Sequence, residues 1–135
     1  MNSRRKFVKT AAGSLVLLPL AGTVACGTNK RKMKDLFIHQ VYFWLKNPDR
    51  AEDRDKLVEG LKSLAAIRTI ADYHIGVPAG SSRDVVDGSY ALSWLTMFED
   101  KAAQDAYQVD PIHLRFVADY QHLWERVVVY DSVDY

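Results

Sequence analysis

The segment LFIHQVYFWLK, residues 36 to 46, constrains this chain more than any other, because a strand written this way is apolar on both faces. Its aromatic and branched side chains favour extended backbone. Alternation puts Phe37, His39, Val41, Phe43 and Leu45 on one side and Leu36, Ile38, Gln40, Tyr42 and Trp44 on the other. YALSWLTMF, residues 90 to 98, repeats the pattern, with Tyr90, Leu92, Trp94 and Phe98 opposed to Ala91, Leu95 and Met97. Such strands need an apolar surface on each side.

The remaining segments supply one such surface. Pro48 and Asp49 close the first strand and open a helix, with Asp49 as N-cap and Glu52 answering it in the manner of a capping box. Leu57, Leu61, Leu64 and Ala65, beside Val58, form its buried stripe. Gly60 either weakens this helix by up to ~1 kcal/mol relative to alanine or marks a close approach. A second strand is expected from Thr69 to Val77, followed by a short extended piece around Val85 and Val86. A short helix from Asp100 to Gln108 carries Ala102, Ala103, Ala106 and Tyr107 on one stripe. Asp110 as N-cap and Pro111 at N1 then start a further helical run to Glu125, before the last strand, RVVVYDSVDY.

The order strand, helix, strand, strand, helix, strand is an α+β class. It is a split βαβ arrangement in which a four-stranded antiparallel sheet carries its helices on one face. The other face would leave Tyr, Trp, Phe and Val side chains as a patch larger than a soluble monomer tolerates. A homodimer in which two sheets face each other resolves the conflict, and closure into a barrel is one way to build it.

The first residues stand apart from this domain. MNSRRKFVKTAAGSLVLLPLAGTVAC begins basic and continues into an apolar run, Ala11 to Gly22, too short to span a membrane comfortably. SRRKFVK resembles a twin-arginine signal, and TVAC resembles a bacterial lipoprotein processing site with Thr23 where leucine is usual. The expected organisation is therefore an export signal over 1–25, a basic polar tether over 26–34 and one folded domain over 35–135. Cys26 would be the lipid-bearing first residue of an exported, cell-envelope protein held at the membrane by that anchor. As the only cysteine, Cys26 allows neither an intrachain disulfide nor a cysteine-based metal site.

Residues 35–135 carry 10 basic against 17 acidic side chains, so the domain has no electrostatic footprint for nucleic acid. A Gly-rich phosphate loop, a serine elbow, carboxylates paired for glycoside hydrolysis and a compact three-ligand metal set are all missing from the sequence. No cofactor is expected.

His39 interrupts an apolar strand face and needs a buried partner or a wet cavity. His113 lies in the first turn of its helix on the stripe shared by Phe116, Val117, Tyr120 and Trp124. There the helix dipole and burial both disfavour the imidazolium, which leaves a neutral imidazole able to accept a proton. The alternative is a core histidine satisfied by a tyrosine hydroxyl or a carbonyl. Tyr107 can bring a hydroxyl to the same interior, so His39, Tyr107 and His113 are the candidate catalytic residues of a proton-transfer pocket. His74 and His122 are expected at an edge or in solvent. Asp131 and Asp134 are expected to bound the last strand. Tyr42, Trp44, Trp94 and Trp124 are expected in the core or at the dimer interface.

IHQVYFWLK at 38–46, YHIGVP at 73–78, FEDKAAQDAYQVDPIHLRF at 98–116 and the ending VVVYDSVDY together resemble the stress-responsive α/β-barrel domain family, within the wider group of dimeric ferredoxin-like α/β barrels. The resemblance covers nearly all of residues 35–135. It implies a homodimer with a cavity in each subunit between sheet and helices. A plant member of the family is a polyketide cyclase that closes its substrate by an aldol reaction without a cofactor. Its pattern of Tyr, two residues, His-Pro, one residue and His matches Tyr107 and His113 here, and His39 matches a first-strand histidine. The chain departs from the pattern at Asp110, which keeps the helix cap and changes the local charge. The expected function is that of a small exported dimeric barrel protein of stress-related role, binding a modest apolar or aromatic ligand. The alternatives are a cyclase-like lyase using His/Tyr acid–base chemistry, a cofactor-independent monooxygenase, and a non-catalytic structural or interaction protein.

Overall fold

A computed structural model describes residues 34–135. The first strand, β1 (Phe37–Leu45), alternates strictly, with every odd residue buried and every even one half-buried. After it come α1 (Ala51–Leu64), β2 (Asp72–Gly76), β3 (Leu92–Phe98), α2 (Lys101–Gln108), α3 (Pro111–Tyr120), a 3₁₀ turn (Gln121–Leu123) and β4 (Trp124–Val133). The four strands form one sheet in the order β2-β3-β1-β4, and every neighbouring pair is antiparallel. That is the ferredoxin-like topology, with the two strands that read as apolar on both faces at its centre.

The core lies between the sheet and the helices. Phe37, Val41, Phe43 and Leu45 of β1 and Leu92, Trp94 and Phe98 of β3 meet Leu57, Leu61 and Leu64 of α1, Tyr107 of α2 and Phe116 of α3. The predicted stripe of α1 is thus the one that is buried. On the far side of the sheet Ile38, Tyr42, Trp44, Leu95 and Met97 are only half-covered. Tyr42 there packs edge-on against Tyr90 and Tyr130, at 4.9 and 6.1 Å between ring centroids. One apolar surface is supplied by the helices, as expected, and the other is open.

Several expected boundaries move, each for a local reason. The α1 N-cap is Arg50, without a side-chain cap, in place of Asp49. A tight turn forms first, closed by Arg50 N–H on the Asn47 carbonyl (3.1 Å), and Asn47 Nδ2 donates to the buried Asp53 carboxylate (2.9 Å). Residues 69 to 71 are not strand: Ile70 turns back on Ile67, and pairing begins where Ala71 N–H reaches the Met97 carbonyl. The extended piece expected around Val85 and Val86 is a turn closed by Val86 N–H on the Arg83 carbonyl, and Val85 is 88% exposed.

The helix expected to reach Glu125 stops at Tyr120, and Trp124 opens β4. Helical spacing put Trp124 on the stripe of Phe116, and the two rings do stack, 5.8 Å apart. Trp124 reaches that contact from a strand, paired with Leu45 across a register shift in β1. The β-branched run that follows favours extension and overrides the helical period.

Gly60 marks a close approach. A Cβ there would lie 2.8 Å from the Tyr120 ring, which stacks on Phe116. Gly60→Ala should therefore destabilise the fold by about 1 kcal/mol net, because overpacking outweighs the gain in helix propensity. Urea denaturation of both chains checks this, and a stabilised variant would contradict the packing.

Candidate functional site

His39 sits in the middle of β1 on the helix side, 4% exposed. The β1–β4 register sets Asp131 directly opposite, and its Oδ1 lies 2.6 Å from His39 Nδ1. With the carboxylate accepting, Nδ1 carries the hydrogen, and in the neutral ring Nε2 is the acceptor. Asp131 was expected only to bound the last strand. In the fold it reaches inward from the edge strand, its side chain 42% exposed.

Tyr107 comes from the last turn of α2 and is fully buried. Its hydroxyl accepts a hydrogen bond from Trp94 Nε1 (3.2 Å). The ring packs against Phe98, His39 and His113, with centroids 5.1, 5.9 and 4.6 Å away. Burial pushes the phenol up to about 12, although the bond from Trp94 opposes the shift. The hydroxyl thus keeps its proton at neutral pH and has that proton to donate.

The junction between Tyr107 and His113 is set by the Asp-Pro pair. Asp110 Oδ1 accepts from Ile112 N–H (2.8 Å), Pro111 occupies the first helical position, and Asp110 N–H donates to the Tyr107 carbonyl (3.2 Å). His113 follows in the first turn of α3; its buried Nδ1 makes no hydrogen bond of good geometry, although the Gln108 backbone is close enough to the ring to favour its protonated form. Burial is the main force lowering its pKa, with His39 acting the same way and the Gln108 backbone and the Asp110 carboxylate opposing. A neutral imidazole results, as the helix position and inward face suggested.

All three candidates line one cavity of about 140 Å³ between the sheet and the helices. Asp110 is occupied with capping and does not close it. Phe43, Leu64, Phe116 and Trp124 supply apolar wall. Val127 and Val129 of β4 line the cavity and are themselves 37% and 46% exposed, so its mouth lies between α3 and β4. The arrangement brings a phenol (Tyr107) and two imidazoles (His39 and His113) to one apolar space. That is enough to bind a hydroxyl or carbonyl and to move a proton.

Other sequence candidates lie elsewhere. His74 is exposed on the edge strand β2 and His122 is exposed in the 3₁₀ turn. Among the described residues no three His, Cys, Asp or Glu side chains gather to hold a metal, and no helix is long and apolar enough to cross a membrane. Cys26 and the expected signal and tether fall outside the described residues, save Lys34 at the tether's end. Sequence reasoning missed two supporting residues. Trp94, expected as packing, also donates to Tyr107. Asp131 shares the alternation of Val127 and Val129 and breaks their apolar run, and that parity was its only signal.

Comparison with known proteins agrees with the fold. No curated protein matches the chain. A family protein with a ferredoxin-like fold from Mesorhizobium loti is 25% identical and superposes with a TM-score of 0.62, covering 74% of this chain and 97% of its own. A dimeric ferredoxin-like protein of unknown function from Thermobifida fusca is 19% identical, with a TM-score of 0.62 and coverage of 78% and 97%. The hydroxynitrile lyase of Passiflora edulis is 18% identical, with a TM-score of 0.64 and coverage of 76% and 96%. The family model described as "Stress Responsive A/B Barrel Domain" matches residues 37–134, and the chain accordingly belongs to that family.

Proposed function

We propose that this chain forms a homodimer whose cavity takes a small apolar or aromatic molecule and moves a proton on it. One observation carries the reading: His39, Tyr107 and His113 line one apolar cavity, and the buried Nδ1 of His113 makes no hydrogen bond of good geometry. A histidine that merely completed a core would have its polar atoms satisfied. In the proposed step, neutral His113 takes an acidic proton from a hydroxyl or from carbon next to a carbonyl. The electron pair moves toward the substrate oxygen, where the Tyr107 O–H donates to the developing charge. His39, held by Asp131, orients the same oxygen-bearing group through Nε2. Aldol cyclisation proceeds through such an enolate; in hydroxynitrile cleavage, the reaction in the name of the Passiflora edulis relative, a base takes the hydroxyl proton, the O–H pair forms the carbonyl and cyanide leaves with the electrons of the broken C–C bond, so only the role of the base is shared.

The half-covered far face of the sheet supports the dimer, since Tyr42, Tyr90 and Tyr130 make an aromatic surface that a second sheet would cover. The Thermobifida fusca relative is described as dimeric. We propose further that residues 1–25 direct export and that Cys26 begins the mature chain as a lipidated residue, with the tether 26–34 leading to the domain. Arg4-Arg5, the apolar run and TVAC support this. The family's description makes a stress response the proposed context.

Three measurements bear on these readings. Intact mass of the protein recovered from bacterial envelopes should show loss of residues 1–25 and a lipid on Cys26; an unmodified Cys26 would reject the anchor. A fragment screen followed by His ring resonances should give hits that perturb His39 and His113. His113→Phe and Tyr107→Phe should keep the dimer and weaken those hits at least tenfold, and hits indifferent to both variants would reject the site.

The pH dependence has two limbs of opposite sign. The unfolded chain protonates His113 near its ordinary 6.5 while the folded chain resists, so the His113 contribution is complete above that pH and is lost as pH falls. The Tyr107 contribution is complete below pH 10 and is lost as pH rises toward about 12. Chemical denaturation at stepped pH should show the wild-type chain losing about 2 to 3 kcal/mol relative to Tyr107→Phe across the alkaline window.

A further inference from the structure

Resting on the proposed ligand-binding role, we infer that the cavity selects a neutral molecule of single-ring size bearing one hydroxyl or carbonyl group, and excludes both fused-ring compounds and carboxylates or phosphates.

Size is the first observation. The cavity measures about 140 Å³, and an apolar cavity of about 150 Å³ is what a benzene ring occupies. Its walls do not give easily. Phe116 stacks on Trp124, and Trp124 in turn leans on Phe43 at 5.2 Å between centroids, so a larger guest must displace a packed aromatic series.

Charge is the second. No lysine or arginine lines the cavity. The carboxylates that act on its polar end are Asp131, on His39, and Asp110, beside His113. An anionic ligand would lose its hydration without gaining a counter-charge and would sit close to a like charge. A neutral ligand escapes both costs.

The third observation is where the polar atoms lie. The rings of His39, Tyr107 and His113 approach one another from β1, α2 and α3, while the mouth between α3 and β4 is lined by Val127 and Val129. One oxygen-bearing substituent at the inner end of a ring is matched, and the ring itself lies along the apolar wall that leads to the mouth.

Isothermal titration of the full-length chain at pH 8 with benzyl alcohol, benzoate and 2-naphthalenemethanol tests this. Benzyl alcohol should bind, and the other two should bind at least tenfold more weakly. If benzoate binds as tightly as benzyl alcohol, selection by charge is wrong. If 2-naphthalenemethanol binds as tightly, selection by size is wrong. In either case the ligand-binding proposal stands. Silence from all three compounds beside positive fragment hits overturns this inference alone, and silence in both experiments overturns the ligand-binding proposal with it.

Discussion

A single imidazole in the middle of an apolar strand face organises this domain. Leaving a buried polar group without a partner costs about 1 to 3 kcal/mol, and on the helix side of β1 only His39 incurs that risk. Asp131 removes it, but only in one register of β4. A slip by one residue would turn Asp131 to the far face and bring a serine or a tyrosine opposite His39. The contact that settles which His39 nitrogen is free is therefore also a contact that selects how the last strand pairs.

The second half of the site depends on a junction instead of a register. Tyr107 ends one helix and His113 begins the next, and without a sharp break between them the two side chains would sit almost two turns apart on one rod. Asp110 makes the break twice over, with its side chain on the Ile112 N–H and its own N–H on the Tyr107 carbonyl. The rings end 4.6 Å apart. A histidine at position 110, as in the plant cyclase pattern, would leave the capping to another group. Aspartate here binds the turn more firmly and adds a carboxylate that favours the imidazolium, yet burial still holds His113 neutral.

What could be read from residues alone follows from the range of the interactions involved. The stripe of α1, the Asp110 cap and the inward faces of β1 and β3 depend on neighbours within a few positions, and all are present except for Tyr90, which precedes β3 and packs against Tyr42 on the far face instead of joining Leu92, Trp94 and Phe98. The convergence of His39, Tyr107 and His113 was legible because each side chain broke or extended an apolar pattern on an element whose inward face was already known. The Asp131 partnership was not, since it joins residues 92 positions apart and depends on strand register. The helix ends earlier than its period suggests because Trp124 keeps the helical spacing from Phe116 while falling out of step with Val127 and Val129, and a register shift beside Leu45 returns it to the helix side of the sheet. Propensity alone could have separated helix from strand, through Val127, Val128 and Val129 immediately beyond.

β4 connects the site to the rest of the proposed assembly. It is an edge strand, hydrogen-bonded to β1 on one side only, and most of its side chains are exposed on both faces. Its helix-side residues Val127, Val129 and Asp131 form the mouth of the cavity and the support of His39. Its far-side residues Val128 and Tyr130 belong to the aromatic surface around Tyr42. A second sheet laid against that surface would hold β4 from behind while leaving the mouth open, because alternate residues of a strand point to opposite faces. Assembly would then steady Asp131, and through it His39, without contributing any atom to the cavity. An edge strand that frays in a lone subunit would release His39 Nδ1 and blur the distinction between the two ring nitrogens on which the proposed chemistry relies.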